Sequence, residues 1–285
     1  MRGRVVIGFF VLFMATPALA QQRPLKTQDV ELIQPGHVLV QVGFDFLQDV
    51  RFPLSGLRGD LTRVGALGVN FGLGKMVELQ IQGTVQNFLS VREQVAAPVT
   101  PILSSNGLNT HDFGDFTIAT KIKLIPEEGR RPAVGLRFAF EMPNSDQSKG
   151  IGLNTTNIFL SVLAQKHFGK LNTFYNLGLG ILQSPLATFT QNDVLTYGVA
   201  AIYPVHKRVN LVGEVYGRHS TRRITARLVG SDDRSEVRLG GQILAAGFRW
   251  DLAAILGLTA RDASTGVSFG VSKDLALFEH VRLLQ

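Results

Sequence analysis

Acidic, basic and amide side chains recur at alternate positions of this chain, and the positions between them are mostly apolar. The set comprises Asp45, Glu78, Gln80, Gln82, Lys121, Lys123, Arg137, Glu141, Glu214, Arg218, Arg238 and Asp274, with His37 and Gln41 in the same phase. Both signs of charge are present, as expected where ions kept in a low dielectric must pair. Such a mixture supports two kinds of chemistry. It can line a polar path whose transverse field orients a solute, or it can form a salt-bridged filling that only stabilises its container.

Hydrolytic chemistry is the rival. His219 and Ser220 are adjacent, so on a strand they point to opposite faces, and neither has an evident orienting partner. His111-Asp112 lies in a long polar stretch with no second histidine at metal-ligand spacing. Neither a P-loop nor a cofactor motif appears, so no enzyme, cofactor or metal site is expected.

The elements that must hold the alternating set read as strands. Ala133–Pro143 is the clearest. Val134, Leu136, Phe138, Phe140 and Met142 occupy one parity, and Ala133, Gly135, Arg137, Ala139 and Glu141 the other. A two-residue period places these on opposite faces. Similar segments run over His37–Phe46, Leu61–Leu73, Val77–Leu89, Phe116–Leu124, Ile158–Phe168, Leu171–Leu182, Val194–Tyr203 and Asn210–Arg218. Glu236–Trp250, Leu252–Ala260 and Gly266–Leu275 complete twelve. Arg238 and Gln242 there share one parity and Arg249 has the other, so a bulge near Ala245–Gly247 is expected. Phe159 and Phe174 fall on the polar parity, where they would suit an apolar solute or pack the interior.

The start of the chain sets its compartment. Met1–Arg4 is basic, Val5–Ala15 is apolar, and Ala18-Leu-Ala20 is a small-x-small site, which together predict a secretory signal peptide cut after Ala20. Its removal takes away Arg2 and Arg4 and lowers the net charge from +7 to +5. The apolar run is too short for a spanning helix, which needs about 20 residues. Cysteine is absent, so an exported chain of 285 residues must be held by backbone pairing and packing. Thirty glycines, about a tenth of the chain against a usual ~7%, favour crowded strands over helices.

The connections then choose the architecture. Short turns at 74–75, 126–132, 169–170, 204–209 and near 251 alternate with mostly longer loops at 51–60, 92–115, 144–155, 183–193, 219–235 and 261–265. That pattern, with an even strand count and one fully apolar face, predicts an all-β, antiparallel, up-and-down transmembrane β-barrel of the outer-membrane type. A soluble barrel or sandwich is disfavoured because the polar face carries glutamines and paired charges in place of a packable core. The expected division is signal peptide 1–20, periplasmic segment 21–36, barrel 37–278 and tail 279–285. Barrel assembly machinery and outer-membrane lipids are expected partners, and nucleic acid is not. Arg222, Arg223 and Arg227 in the 219–235 loop could grip lipopolysaccharide phosphate bidentately. The alternative there is a solvated loop neutralised by Asp232, Asp233 and Glu236.

The run Gly114–Lys121, then Pro132-Ala-Val134, Glu141–Asn144, Gly150–Gly152, Phe168–Lys170 and Tyr175–Gly178 resembles the MetA-pathway phenol-degradation family of outer-membrane proteins. The resemblance implies an outer-membrane barrel and passive uptake of small aromatic or hydrophobic molecules, and it brings no catalytic residues. One feature departs from outer-membrane habit: Phe278 is followed by seven further residues, so the chain does not close on a C-terminal aromatic.

Overall fold

The structure, a computed structural model, describes residues 23–187, 190–223 and 229–277. The signal peptide, Arg227, Phe278 and the tail lie outside the described residues. Period-two alternation produces β1 (His37–Phe52), β2 (Leu57–Gly72), β3 (Val77–Gln94), β4 (Asn109–Asp112), β5 (Phe116–Ile125), β6 (Ala133–Met142) and β7 (Asn157–Phe168). It continues through β8 (Leu171–Gln183), β9 (Gln191–His206), β10 (Val209–Ser220), β11 (Arg234–Ala245), β12 (Phe248–Gly257) and β13 (Thr265–Ala276).

All pairings are antiparallel. Apart from β4, which adds to the far end of β3, consecutive strands pair in order, and β13 closes on β1 with His37 opposite Ala276. The result is a twelve-strand barrel. Closure leaves the twelve-strand wall without a free edge, which a sheet in hydrocarbon requires because no water can cap one. A tilted strand crosses a bilayer in about 9–11 residues, so the 16 to 18 residues of β1, β2 and β3 extend past it at one end.

The two faces of the wall differ as their parity demands. Phe46, Phe138, Leu160, Leu177, Leu211 and Leu252 point outward and are each more than half exposed. An apolar surface of this extent suits lipid and not water. Phe168, Tyr175, Tyr203, Phe248 and Trp250 face outward near the short turns, and Trp250 lies 6.2 Å from Phe248 and from Phe269. They mark the aromatic girdle of one membrane interface, the periplasmic one in barrels of this type.

Three boundaries differ from expectation. The reversal of parity after Gln242 is a hairpin and not a bulge: Ala246 and Gly247 both have positive φ (53° and 73°), as a two-residue turn between twisted strands needs. Arg249 and Asp251 therefore begin an inward row of their own. The 92–115 loop carries β4. Most consequential, the segment read as a periplasmic lead-in lies inside the barrel from Arg23 onward.

Candidate functional site

The lumen is built from the inward parity of twelve strands and from residues 23–36. That segment forms no strand. Its polar groups bond to side chains of the wall, and it meets the strands in order around the circumference. Gly36 N–H donates to Gly72 O at 3.0 Å, anchoring it at the short-turn end. Ile33 N–H donates to the Glu78 carboxylate at 2.7 Å. Glu31 pairs with Lys123 at 2.8 Å, and Lys121 Nζ meets Asp29 at 2.9 Å and the Glu31 carbonyl at 2.5 Å. Val30 N–H donates to Gln165, and Gln28 exchanges hydrogen bonds with Asn176.

Farther round, one Glu214 carboxylate accepts from Lys26 N–H, Thr27 N–H and the Thr27 hydroxyl, at 2.7 to 3.0 Å. Arg238 donates to Pro24 O at 2.9 Å and lies 2.8 Å from Glu236, which also holds Lys26 at 2.9 Å. Arg23 ends the circuit between Asp45 at 3.7 Å and Asp251 at 3.6 Å. Apolar contacts punctuate the polar ones: Leu25 packs with Phe174, Ala200, Ile202 and Val212, and Val30 with Ala133 and Leu163. A carboxylate that accepts three or four bonds in a buried site holds its partners strongly, because leaving any of them unpaired there is costly.

The expected lining residues thus divide into three groups. Asp45, Glu78, Gln80, Lys121, Lys123, Glu214 and Arg238 all contact the segment, Gln80 through Gln28 at 3.2 Å. Gln82, Arg137, Glu141 and Arg218 line the space above it. Arg137 and Glu141 do not hold each other: Arg137 donates to Gln80 and Gln82 at 2.8 and 3.2 Å, and Glu141 accepts from Asn157 at 2.6 Å. Asp274 stands apart at the short-turn rim, 3.0 Å from His37. Sequence reasoning missed Gln165, Asn176, Asp251, Tyr216 and Arg234. Gln165 and Asn176 were legible from parity alone. Phe174 packs on the segment, whereas Phe159 borders the open space.

Two connected cavities of about 410 and 430 Å³ remain above the segment. They share Lys26, Glu141, Thr196 and Tyr216 on their walls, and the second opens among the long loops. Outside the lumen, Arg222 and Arg223 are exposed at the long-loop end, and Arg222 donates to Gln191 O at 2.7 Å. His219 points outward to Asp233 at 3.2 Å, while Ser220 points inward and accepts from Asn192, so the two make no nucleophile–base pair. His111 lies beside Gln86 and Phe88 on the far part of β3.

A closed twelve-strand wall with a lipid-facing exterior and an ionic interior defines an outer-membrane-type β-barrel. The chain belongs to the family described as "Putative MetA-pathway of phenol degradation", which matches residues 22–272. An outer membrane channel from Pseudomonas putida F1 shares its fold at a TM-score of 0.60, with 14% identity over 87% of this chain and 98% of that one. The translocator domain of the autotransporter NalP from Neisseria meningitidis is similar at 0.51, with 11% identity over 83% and 87% of the two chains. No curated protein matches the sequence.

Proposed function

We propose that this barrel is a passive outer-membrane channel for small molecules, aromatic or hydrophobic ones among them, exported with its signal peptide cut after Ala20. The observation that carries this reading is the pair of adjoining cavities of about 410 and 430 Å³ inside the barrel, whose walls mix polar and apolar side chains. A barrel built only for structure has no need of unfilled interior volume. The short-turn half is filled by residues 23–36, and a solute must pass them. Their attachment through side-chain bonds, with no strand ladder, makes local displacement far cheaper than opening the wall. The same filling favours a second reading, a closed structural barrel. Contact of Arg222 and Arg223 with lipid phosphate belongs to either.

Planar-bilayer conductance of the refolded full chain separates the two. The channel reading expects discrete conductance steps and solute uptake into liposomes. A protein that inserts, never conducts and gives no solute-dependent uptake overturns it and leaves the closed barrel.

A further inference from the structure

The cavity at the long-loop end has one wall of hydrocarbon and, on another, two arginines that make no direct ion pair among the described residues. Leu47, Val50 and Leu61 of β1 and β2 form the first, with Ile151 and Leu153 of the 143–156 loop over them. Opposite stand Arg218 of β10 and Arg234 of β11. These two are direct register partners on neighbouring strands, and both side chains enter the same cavity. Like charges directly opposed on one face of a sheet, with Cβ atoms about 5 Å apart, destabilise it.

Neither arginine forms an ion pair with a carboxylate among the described residues, although Asp232 and Asp262 lie near both and Glu141 near Arg218. Arg218 donates only to the carbonyls of Asp232 and Gly230, at 3.2 and 2.7 Å, and Arg234 only to that of Arg261 at 2.8 Å. Among the described residues no carboxylate lies within ion-pairing distance of either. The candidate acids are engaged elsewhere: Glu236 with Lys26 and Arg238, Glu141 with Asn157, Asp232 with Arg261, and Asp262 with Ser235 N–H and Thr259. Both guanidinium groups line the cavity, and among the described residues neither has a side-chain acceptor. A planar fork of this kind is matched by a carboxylate or another small oxyanion.

We propose that this cavity binds an amphiphilic anion, a small molecule carrying one carboxylate on a hydrocarbon or aromatic body. The carboxylate lies between Arg218 and Arg234 and the body against Leu47, Val50 and Leu61. The inference names the solute class of the interior described above and, for transport only, rests on the channel reading.

The test uses the folded full chain in nanodiscs, with empty nanodiscs as the partition control. The probes are 4-phenylbutyrate, its neutral analogue 4-phenylbutanol, and butyrate, which has the charge without the ring. Isothermal titration is expected to give binding of 4-phenylbutyrate at least tenfold tighter than either of the others. The double variant Arg218→Gln/Arg234→Gln, checked for folding by heat-modifiable gel mobility, is expected to lose at least tenfold for 4-phenylbutyrate and nothing for 4-phenylbutanol. If that variant does not fold, Arg234→Gln alone serves, with a severalfold loss expected. Equal affinity for the acid and the alcohol, or unchanged acid binding in the folded variant, overturns the proposal. Binding that follows the expected order without uptake into liposomes overturns the channel reading and leaves the ligand class standing. Uptake with no preference for the acid does the reverse.

Discussion

Lys121 is the residue on which the hold of the inner segment can be measured. Its side chain is fully buried, 2.9 Å from Asp29 of the segment and 3.5 Å from Glu78 of β3, and its ammonium also donates to the Glu31 carbonyl. Lys121→Met keeps the length of the side chain and removes the charge, leaving two buried carboxylates without their common cation. Removing one partner of a buried ion pair costs about 3–5 kcal/mol. The wall is tied by continuous ladders around twelve strands, whereas the segment is tied by single side-chain bonds. The cost should therefore fall on the segment as a local opening and not on the barrel.

The assay follows from composition. The chain has no cysteine, so Val30→Cys places a unique thiol at a fully buried point of the segment, packed on Ala133 and Leu163. Its maleimide labelling in folded protein reports the open fraction. At about 1.4 kcal/mol per tenfold, Lys121→Met should accelerate labelling by between roughly a hundredfold and a few thousandfold. Adding Asp29→Asn, which removes one stranded carboxylate, should recover part of that. Unchanged labelling together with a lower unfolding temperature of the whole barrel would show that Lys121 stabilises the wall, and would refute the distinction between ladder-held and side-chain-held parts.

Gly72→Ala should loosen the same segment at its root, because an added Cβ would sit 2.1 Å from Gln34 O and 2.5 Å from Ile33 O; Val30→Cys labelling in that background should rise. Phe174→Ala should do so from the other side by emptying the contact with Leu25, at about 3–5 kcal/mol for a buried phenylalanine, shared between the segment and the wall. Conductance traces of the two variants should then show higher open probability than the parent if the segment limits passage. The short turn at 126–132 supplies a pH effect. Partial burial alone would raise the Glu127 carboxyl, but hydrogen bonds from Lys166 and His167 outweigh it and hold the group at about 2, below its ordinary 4.5. A depressed carboxyl contributes stability that is complete above the ordinary value and is lost as pH falls from about 4.5 towards 2. Glu127→Gln should therefore lower thermal stability slightly at neutral pH and flatten its decline over that acid window, read from unfolding curves at successive pH values.

The wall was legible and its filling was not, for a physical reason that particular residues make plain. Parity is a local property, so Ala133–Met142 declared its lipid and lumen faces without any knowledge of the other strands. The positions of Glu78, Lys121, Glu214 and Arg238 followed from the same rule. The parity of β12 was misread because a two-residue hairpin at Ala246-Gly247 and a bulge leave the same trace in a pattern of period two. Residues 23–36 have no period, since they bond through side chains to ten different strands, and an aperiodic polar stretch is indistinguishable from a solvated one.

What could have exposed it is the imbalance of the wall itself. Lys121 and Lys123 stand two residues apart on one inward row, where like charges repel and each needs an acid of its own. Glu78 is register partner to Lys121 and, of the two lysines, pairs with that one. Lys123 has no acid facing it on either neighbouring strand. A lumen with a cation left over must either admit an anion or be supplied with one by the chain, and Glu31 is that supply at 2.8 Å. The same reasoning applied above the segment finds Arg218 opposite Arg234 and, among the described residues, no acid within ion-pairing distance of either. One unbalanced row is completed by the protein's own N-terminal residues. The other is left for a solute to complete, and the difference between them locates the ligand site in the long-loop half of the barrel.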